Sequence, residues 1–420
     1  MPVYSSQLNF NNDYPTIKPS LNLVCNRSKS LDPRVQFVRS TAATTMGPTG
    51  YVEDVGANQP RFDHDPTTGE CLGLLVEEGR TNLFKNSDIA LGHSSQWQFG
   101  SWNSSTYTAS TATELLPDGS TGNCLKVVRA SSGGGSGHFH QGTGPGWTTG
   151  KRYCISYWVK GSGAGSFNHS SHSGFSVEVG SSGTTVSTTS EWVRHYIVYA
   201  TGSIGGGYPY FNLNNMTAGG TIYFWGFQCE ELPGGSSTAN KNYPTTLIRT
   251  GSSHVTRNAD QLTIPQKELD TFFNWDEGTF VAEASRGRKG TDANGLLAIN
   301  DGTSTYQNMI VLYEAYDTQG PVGRVYVGGN GTFGSASTIN SGFDNFHTMC
   351  FGYKTNDIAS NVNGGDLKST TSAAIPAKST LTTMKIMRGY GNSVFHGRLK
   401  YLRYYPKKLS NATITLLSKN

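Results

Sequence analysis

Apolar and polar residues alternate along most of this 420-residue chain, and the spacing typical of a helix is nearly absent. The alternating segments end at Gly, Asn, Ser or Pro, residues that favour turns. Gly alone occupies 52 of the 420 positions, or about 12%, against a usual ~7%. The sequence therefore predicts an all-β fold, with its clearest strands at residues 34–39, 125–129, 153–160, 192–199, 221–229, 279–284, 308–313, 324–328, 347–353, 383–387 and 399–405.

The C-terminal end alone shows a helical pattern. Ser410 suits the N-cap position, and three apolar side chains then lie on or near one face: Ile414, Leu416 and Leu417. The sequence therefore predicts one short helix, at residues 410–418.

Two changes in composition divide the chain. The first lies near residues 81–87, where Ser- and Thr-rich sequence begins, and the second is the connector-like stretch PGGSSTAN at residues 233–240. We predict an N-terminal segment at 1–84, a β-sandwich at 85–235 and another at 236–420. The predicted architecture is two consecutive antiparallel β-sandwich (jelly-roll) domains after a small β-rich N-terminal segment.

Composition excludes several classes of function. The formal net charge is +4, but Lys and Arg are scattered, so no basic surface for nucleic acid is predicted. No apolar run approaches the ~18 residues that a membrane helix needs, so membrane insertion is not predicted. The N-terminus lacks a basic region followed by an apolar run, so we expect no secretory signal.

Cysteine spacing and short motifs give no sign of a metal centre or a cofactor. The six cysteines include no C-x-x-C pair, which excludes a zinc knuckle, but disulfides and buried free thiols both remain possible. No P-loop, Gly-x-Ser-x-Gly or His-Glu-x-x-His motif occurs. His138 and His140 have the spacing of a metal pair, which is also that of any two strand residues on one face. We predict no cofactor.

The stretch RFDHDPTTGECLGLLVEEGRTNLF, at residues 61–84, concentrates charge and resembles a catalytic or metal site. Consecutive side chains of an extended chain point to opposite sides, so Asp63, His64 and Asp65 should not converge on one ion. Residues 65–69 form a turn signature, and residues 71–76 look like a buried strand. The predicted structure is strand, turn and strand, with ion pairs across the hairpin or a subunit contact among Arg61, Arg80, Asp63, Glu77 and Glu78.

Two Glu-Glu pairs, Glu77-Glu78 and Glu230-Glu231, suggest a glycosidase, which needs two carboxylates facing each other across a short gap. Neighbouring strand residues point apart, so neither pair meets that geometry alone, although distant carboxylates may be combined in the fold. We predict no catalytic residue and no enzymatic activity.

Three segments carry a resemblance to known proteins. The first segment, residues 30–44 (SLDPRVQFVRSTAAT) together with residues 58–84, resembles a leader segment of virion structural proteins from tailed bacteriophages, especially tail-fibre or appendage proteins. IYFWGFQCEEL with residues 242–265 is similar to the exit from a carbohydrate-binding-module-like jelly roll in such proteins. HGRLKYLRYYPKKLSNATITLL resembles the last strand and helix of a concanavalin A/laminin G-like sandwich. One departure is Cys229, where an aliphatic residue is common.

The resemblance implies a virion protein, made in the host cytoplasm, whose N-terminal segment attaches it to other virion proteins. It also implies a homo-oligomer, with a trimer favoured, whose sandwiches face host-surface polysaccharide. The position on head or tail stays open, as does the glycan.

Sugar binding requires flat aromatic faces together with hydrogen-bonding groups. Aromatic residues of predicted loops in the middle domain supply both, although they may instead fill the sandwich or a subunit interface. Weaker candidates in the last domain are Tyr390, Asn392 and the loop at 361–366, where calcium is an alternative to a simple turn. The predicted ligand-binding residues are Trp97, Trp102, Tyr107, Trp147, Tyr208 and Tyr210.

Three functional hypotheses follow. The leading one is a phage tail fibre or similar appendage that binds host-surface glycans without cleaving them. The second is a purely architectural capsid fibre or decoration protein. The third is a glycan depolymerase.

Overall fold

The computed structural model describes residues 16–27, 29–88, 97–101, 106–130, 137–141, 146–204, 207–233, 243–286, 294–302, 307–314, 321–332, 345–389 and 396–419. Within these ranges the chain is nearly all β and its strands pair antiparallel. No helix of the described residues is long and apolar enough to span a membrane. The all-β prediction is therefore confirmed.

The strands are numbered in chain order. They are β1 (Leu21–Val24), β2 (Gln36–Val38), β3 (Ala43–Met46), β4 (Val52–Val55), β5 (Arg61–His64), β6 (Cys71–Val76), β7 (Arg80–Asn82), β8 (Trp97–Ser101), β9 (Tyr107–Leu115), β10 (Thr121–Arg129), β11 (Gly137–Gln141), β12 (Arg152–Ser162), β13 (Ser166–Ser171), β14 (Phe175–Ser187), β15 (Val193–Thr201), β16 (Pro209–Asn212), β17 (Thr221–Glu231), β18 (Val255–Arg257), β19 (Gln261–Pro265), β20 (Glu277–Arg286), β21 (Asn294–Asn300), β22 (Met309–Glu314), β23 (Pro321–Val327), β24 (Asn330–Thr332), β25 (Phe346–Lys354), β26 (Ile358–Val362), β27 (Lys368–Thr370), β28 (Thr383–Ile386) and β29 (Gly397–Tyr405). The helices are α1 (Gln266–Leu269), a 3₁₀ turn (Lys378–Thr380) and α2 (Asn411–Leu417).

The C-terminal sandwich consists of an eight-stranded and a seven-stranded sheet. The first has the order β27-β26-β25-β20-β29-β6-β5, with β1 also paired to β29, and the second has the order β2-β19-β28-β21-β22-β23-β24. Phe280 and Met349 of the first sheet and Leu297 and Ile310 of the second belong to one apolar core and are fully buried. These alternating residues explain why the two sheets pack face to face.

The N-terminal segment supplies strands to both sheets of this C-terminal sandwich. β1 and β6 pair with β29, whereas β2 pairs with β19. Leu21, Leu23 and Leu74, each at most 3% exposed, lie in the shared core. The boundaries at residues 84 and 235 stay predictions, but β1, β2, β5 and β6 of the N-terminal segment lie within the C-terminal sandwich, whereas β3 and β4 form a separate two-stranded sheet.

The middle sandwich is built from one continuous strand order, β8-β11-β16-β13-β14-β15-β12-β17-β10-β9. The long strand β14 connects its two layers, because its first part pairs with β15 and its end pairs with β13. Aromatic rings dominate the core between the layers, among them Phe139, Tyr157, Phe211, Phe224 and Phe227.

The chain enters and leaves the middle sandwich at adjacent positions. β7 pairs with β18, which places Thr81 opposite Thr256. The Asn82 side-chain amide donates to the carbonyl oxygens of Phe227 (3.1 Å) and Ile248 (2.8 Å), so it joins the incoming chain to the outgoing one. The middle sandwich is therefore inserted between the strands of the N-terminal segment and the rest of the C-terminal sandwich.

Each predicted strand corresponds to an observed strand, although its ends shift by a few residues. The segment predicted at 34–39 is the shorter β2, and that predicted at 399–405 is β29. The helix is also confirmed as α2, since the side chain of Ser410 accepts a hydrogen bond from the Thr413 N–H at 3.1 Å. Strands without a clear alternating pattern, such as the polar β13, were not predicted. Such strands form because neighbouring strands pair with them, and their own sequence carries little signal.

The cysteines are free thiols, which resolves the alternative that the sequence left open. All six are unpaired, and all except Cys71 are buried. Desolvation raises the pKa of Cys25 to about 12 and that of Cys124 to about 11. They remain protonated near neutral pH and pack as small apolar side chains.

Candidate functional site

The charged stretch at residues 61–84 folds as a strand, a turn and a strand, as predicted. Asp65 accepts hydrogen bonds from the backbone N–H groups of Thr67 (2.9 Å) and Thr68 (2.7 Å), which lower the pKa of its carboxyl group. Gly69 takes the left-handed conformation, with a φ of +71°. Asp63 instead pairs with Arg398 at 2.7 Å, so the two carboxylates have different structural roles.

A buried ion network connects the N-terminal segment to the chain that follows the middle sandwich. Arg61 pairs with Glu77 at 2.6 Å and also with Asp260, Arg39 pairs with Asp260 at 3.0 Å, and Arg257 pairs with Glu77. Five side chains, each at most 2% exposed, form what we call the junction network: Arg39, Arg61, Glu77, Arg257 and Asp260.

Further hydrogen bonds satisfy the junction network. Glu77 accepts from the N–H (2.8 Å) and the hydroxyl (2.6 Å) of Thr246, and its own N–H donates to Asp260 at 2.8 Å. The predicted pairing across the hairpin is confirmed for Arg61 with Glu77, but two of the five network residues, Arg257 and Asp260, come from distant sequence. Buried ion pairs of this kind contribute little net stability and mainly fix which segments meet, because burial costs desolvation energy.

The two Glu-Glu pairs point apart, as strand geometry requires. Glu230 is buried and accepts from the Thr245 N–H at 2.9 Å, whereas the exposed Glu231 pairs with Lys151 at 2.7 Å. Glu78 likewise pairs with Arg80, away from the partners of Glu77. Neither pair places two carboxylates on opposite sides of a substrate-sized gap.

Five ring-bearing side chains lie together on one layer of the middle sandwich. The rings of His140 and Tyr208 stack, with centroids 3.8 Å apart and planes 12° apart. His138 lies 4.9 Å from Tyr210, and His172 lies 4.5 Å from Tyr208 and 5.1 Å from Tyr210. We call this group the His–Tyr face: His138, His140, His172, Tyr208 and Tyr210.

Strand alternation puts these rings on the side opposite the core. Phe139, between the two histidines of β11, stacks on Phe211, which directly follows Tyr210 in β16, with centroids 4.5 Å apart. Asn212 of β16 pairs with His138 of β11 on one side and with Asn168 of β13 on the other. The backbone register therefore places two amide side chains at the border of the face. The face therefore combines flat rings with amide groups on a rigid aromatic support.

Burial keeps two histidines of the His–Tyr face, His138 and His140, neutral. Desolvation, followed by the charges of His138 and His172, lowers the pKa of His140 to about 4, and desolvation also lowers the pKa of His138. A neutral imidazole carries one donor and one acceptor nitrogen. The Nδ1 atom of His140 is buried and has no hydrogen-bond partner among the described residues. His138 and His140 thus carry both donor and acceptor nitrogens without a charge.

The structure brings together two of the six predicted binding residues, Tyr208 and Tyr210. Trp147 packs edge-on against Tyr153 at 4.8 Å, and the hydroxyl of Tyr107 donates to the Leu213 carbonyl at 3.2 Å. Both thus follow the alternative in which the aromatics fill the sandwich.

The backbone of Trp97 lies in β8, opposite Gln141. The side chain of Trp97 and the whole of Trp102 lie outside the described part of the chain. The binding residues predicted from the sequence did not include the histidines of this face. The His-x-His spacing of His138 and His140 was the available signal, but it suggested a metal. Among the described residues, no group of three or more His, Cys, Asp or Glu side chains is placed to hold a metal ion.

The loop at residues 361–366 is a structural turn. The Asn361 amide donates to the Gly365 carbonyl at 2.6 Å, and its oxygen accepts from the Ser418 hydroxyl at 2.5 Å. These hydrogen bonds therefore hold the loop after β26 against Ser418, the residue that follows α2. The other candidates of this domain, Tyr390 and Asn392, lie outside the described residues.

No protein-family model matches the chain, and no curated protein matches it. Among solved structures, domain 4 of AbnA, an extracellular GH43 arabinanase from Geobacillus stearothermophilus, is 13% identical, with 43% of this chain and 84% of that domain covered and a TM-score of 0.33. The CBM40 of the Ruminococcus gnavus IT-sialidase bound to α2,3-sialyllactose is 16% identical, with coverages of 36% and 88% and a TM-score of 0.31.

A SAP-like pentraxin from Limulus polyphemus is 11% identical, with coverages of 34% and 70% and a TM-score of 0.27. The similar structures thus include carbohydrate-binding modules and other β domains. At these scores the similarity does not establish a function for this chain.

Proposed function

We propose that this chain is a structural protein of a phage particle, a tail fibre or a similar appendage, that binds host-surface glycans without cleaving them. The observation that carries glycan binding is the His–Tyr face. It joins stacked flat rings to hydroxyl and imidazole groups in one surface of the middle sandwich. Sugar rings need both, since their C–H faces lie on aromatic rings and their hydroxyls form hydrogen bonds.

The neutral imidazoles of His138 and His140 favour uncharged sugars. Because burial holds the pKa of both below the ordinary value, neither is a cation near neutral pH. His138, Tyr208 and Tyr210 are partly exposed and supply hydrogen-bonding groups for ligand hydroxyls. We infer binding to a neutral hexose-containing polysaccharide.

The arrangement of the carboxylates supports binding without cleavage. The two Glu-Glu pairs of the sequence are engaged in structural hydrogen bonds and ion pairs, far from the geometry of a glycosidase pair. The His–Tyr face itself is made of imidazole and phenol groups. The proposed protein is therefore a binder, not a depolymerase.

The virion role is supported by the resemblance of residues 30–44, 58–84, 222–232 and 242–265 to phage appendage proteins. In our proposal the N-terminal segment contacts other virion proteins, and the chain assembles as a homo-oligomer, with a trimer favoured. Because four of its strands, β1, β2, β5 and β6, lie within the C-terminal sandwich, the attachment surface would be formed by both together.

The test is glycan binding by the purified chain on an array and by calorimetry, with the reducing ends of host polysaccharide measured in parallel. We expect retention of neutral glycans, at least a tenfold loss of affinity for Tyr208→Ala and Tyr210→Ala, and no new reducing ends. Tyr107→Phe is the matched control, since its hydroxyl bonds Leu213 away from the face.

Retention of no glycan, together with normal incorporation into particles, would favour the architectural hypothesis instead. Release of reducing ends would favour the depolymerase. Electron microscopy of particles labelled against this chain tests the virion role, and a stable monomer that is absent from particles would contradict it.

A further inference from the structure

The other layer of the middle sandwich carries a row of alternating cationic and aromatic side chains. Backbone register places Tyr223 of β17 between Lys126 of β10 and Lys160 of β12. Trp192 directly precedes the residue of β15 that pairs with Val159. We call these four side chains the Lys–aromatic row: Lys126, Tyr223, Lys160 and Trp192.

The row is held together by cation–π contacts. The Lys160 ammonium group lies 5.0 Å from the ring centroid of Trp192 and 5.3 Å from that of Tyr223, and the Lys126 ammonium group lies 6.0 Å from the Tyr223 ring. The Trp192 indole N–H donates to the Leu115 carbonyl at 2.8 Å, which fixes the orientation of the ring. These contacts hold the aromatic faces and the charges in one arrangement.

The row lies at the edge of a covered region. Trp158, Trp225 and Cys124, on the same side of the sheet, are buried in a cluster that also contains Val52 and Leu247 from the N-terminal segment and the junction. Trp192 and Tyr223 pack against this cluster but remain partly exposed. They therefore form a rigid platform that the neighbouring segments leave open.

The row carries an excess of positive charge. Lys160 pairs with Glu114 at 2.9 Å, whereas Lys126 makes no ion pair within the described ranges. Two strand spacings separate the two lysines across the sheet, which is roughly 9.5 Å. Two ammonium groups against one carboxylate leave one net positive charge beside two aromatic faces.

We propose that the Lys–aromatic row is a second saccharide-binding site, selective for acidic polysaccharides that carry carboxylate groups. The parts of the Trp192 and Tyr223 rings that stay exposed beside the lysines contact the C–H groups of successive sugars. Lys126 binds one sugar carboxylate directly. A second carboxylate competes with Glu114 for Lys160, so Glu114 weakens binding and limits it to ligands with a carboxylate at that position.

This site is independent of the His–Tyr face, since it lies on the other layer of the sandwich and differs in charge. A solvated surface with ordinary cross-strand pairs would show the same contacts but no ligand. An interface between copies of the chain would also use the aromatic rings. The effect of Glu114 distinguishes these cases, because only a carboxylate ligand competes with it.

The experiment is calorimetry of the full chain with polygalacturonate oligomers and with their methyl esters, which keep the sugar ring but lack the charge. We expect binding of the acid form only, with affinity that falls as salt rises. Lys126→Gln should weaken it about fivefold and Trp192→Phe about threefold. Glu114→Gln should strengthen it about threefold, since Lys160 loses its competitor.

Lys151→Gln is the matched control, because this surface lysine pairs with Glu231 at a distance from the row and should leave the affinity unchanged. Tyr208→Ala should also leave it unchanged, which separates this site from the His–Tyr face. Thermal unfolding of each variant checks that it folds.

Equal affinity for acid and ester, an equal loss in Lys151→Gln, weaker binding by Glu114→Gln, or no binding would overturn the proposal. Self-association that Trp192→Phe or Lys126→Gln abolishes would instead identify the row as an interface between copies.

Discussion

The two sandwiches of this protein are assembled in different ways. The middle sandwich takes all its strands from one contiguous stretch, β8 to β17, around a core of aromatic rings. The C-terminal sandwich takes strands from both sides of that stretch, and Ser20 donates to the carbonyl of Tyr404, 384 positions away. The difference shows that a contiguous domain can be inserted where two distant segments already meet.

The two regions also differ in where their polar groups lie. The middle sandwich displays rings and lysines on its outer faces, where a ligand can reach them. The junction network instead buries three arginines and two carboxylates between segments. Buried ion pairs select which segments meet, whereas the exposed polar groups are available for binding.

The largest expected effect comes from separating the two regions. Residues 85–233 expressed alone should fold cooperatively, whereas residues 243–420 alone should not, because the C-terminal core would lack Leu21, Leu23 and Leu74. Circular dichroism and thermal unfolding of both fragments measure this. A cooperative transition for 243–420 alone would show that the N-terminal strands are dispensable.

The next largest loss of stability is expected from breaking the junction network. Glu77→Ala removes the buried carboxylate that pairs with Arg257 and leaves Arg61 with Asp260 alone, so it should lower the free energy of unfolding by about 3–5 kcal/mol. Denaturant unfolding of the full chain provides the measurement. Glu231→Ala is the control, since its exposed pair with Lys151 should contribute nothing measurable. Equal effects would mean that the network does not hold the segments together.

The middle sandwich should lose stability as the pH falls. His140 has a folded pKa of about 4, below its ordinary value of 6.5, so the unfolded chain takes up a proton that the folded chain does not. The stability it contributes is full above pH 6.5 and is lost as the pH falls towards 4. Thermal unfolding from pH 7 to 4 should show a decreasing midpoint, with a smaller decrease for His140→Gln. An unchanged slope in that variant would assign the loss to other groups.

The smallest expected effect is at the helix that packs on the C-terminal sandwich. Ser410→Ala removes the side-chain acceptor of the Thr413 N–H and should lower the free energy of unfolding by about 1 kcal/mol. Ser410→Asp restores an acceptor and should recover the loss. Denaturant unfolding compares the two, and equal losses in both would show that capping is not the cause.

Much of the site could not be predicted, and its strands β11, β13 and β16 were not among those predicted from the sequence. Tyr208 and Tyr210 were found as aromatic residues with sugar-binding potential, but Tyr107 and Trp147 had the same local appearance and pack inward. His138 and His140 were recognised only as a metal spacing. Whether a ring is buried depends on what packs against its face of the sheet, and that partner lies elsewhere in the sequence.

The sequence by itself determined the all-β class, the main strands, the turn at residues 65–69 and the capped C-terminal helix. These features depend on two-residue alternation, turn residues and capping, all of which act over a few neighbouring positions. Only the tertiary structure decided that β1, β2 and β6 join the C-terminal sheets and that Arg257 meets Glu77. Strand pairing and ion pairing between distant segments depend on which surfaces exclude water together, and no local pattern specifies that choice.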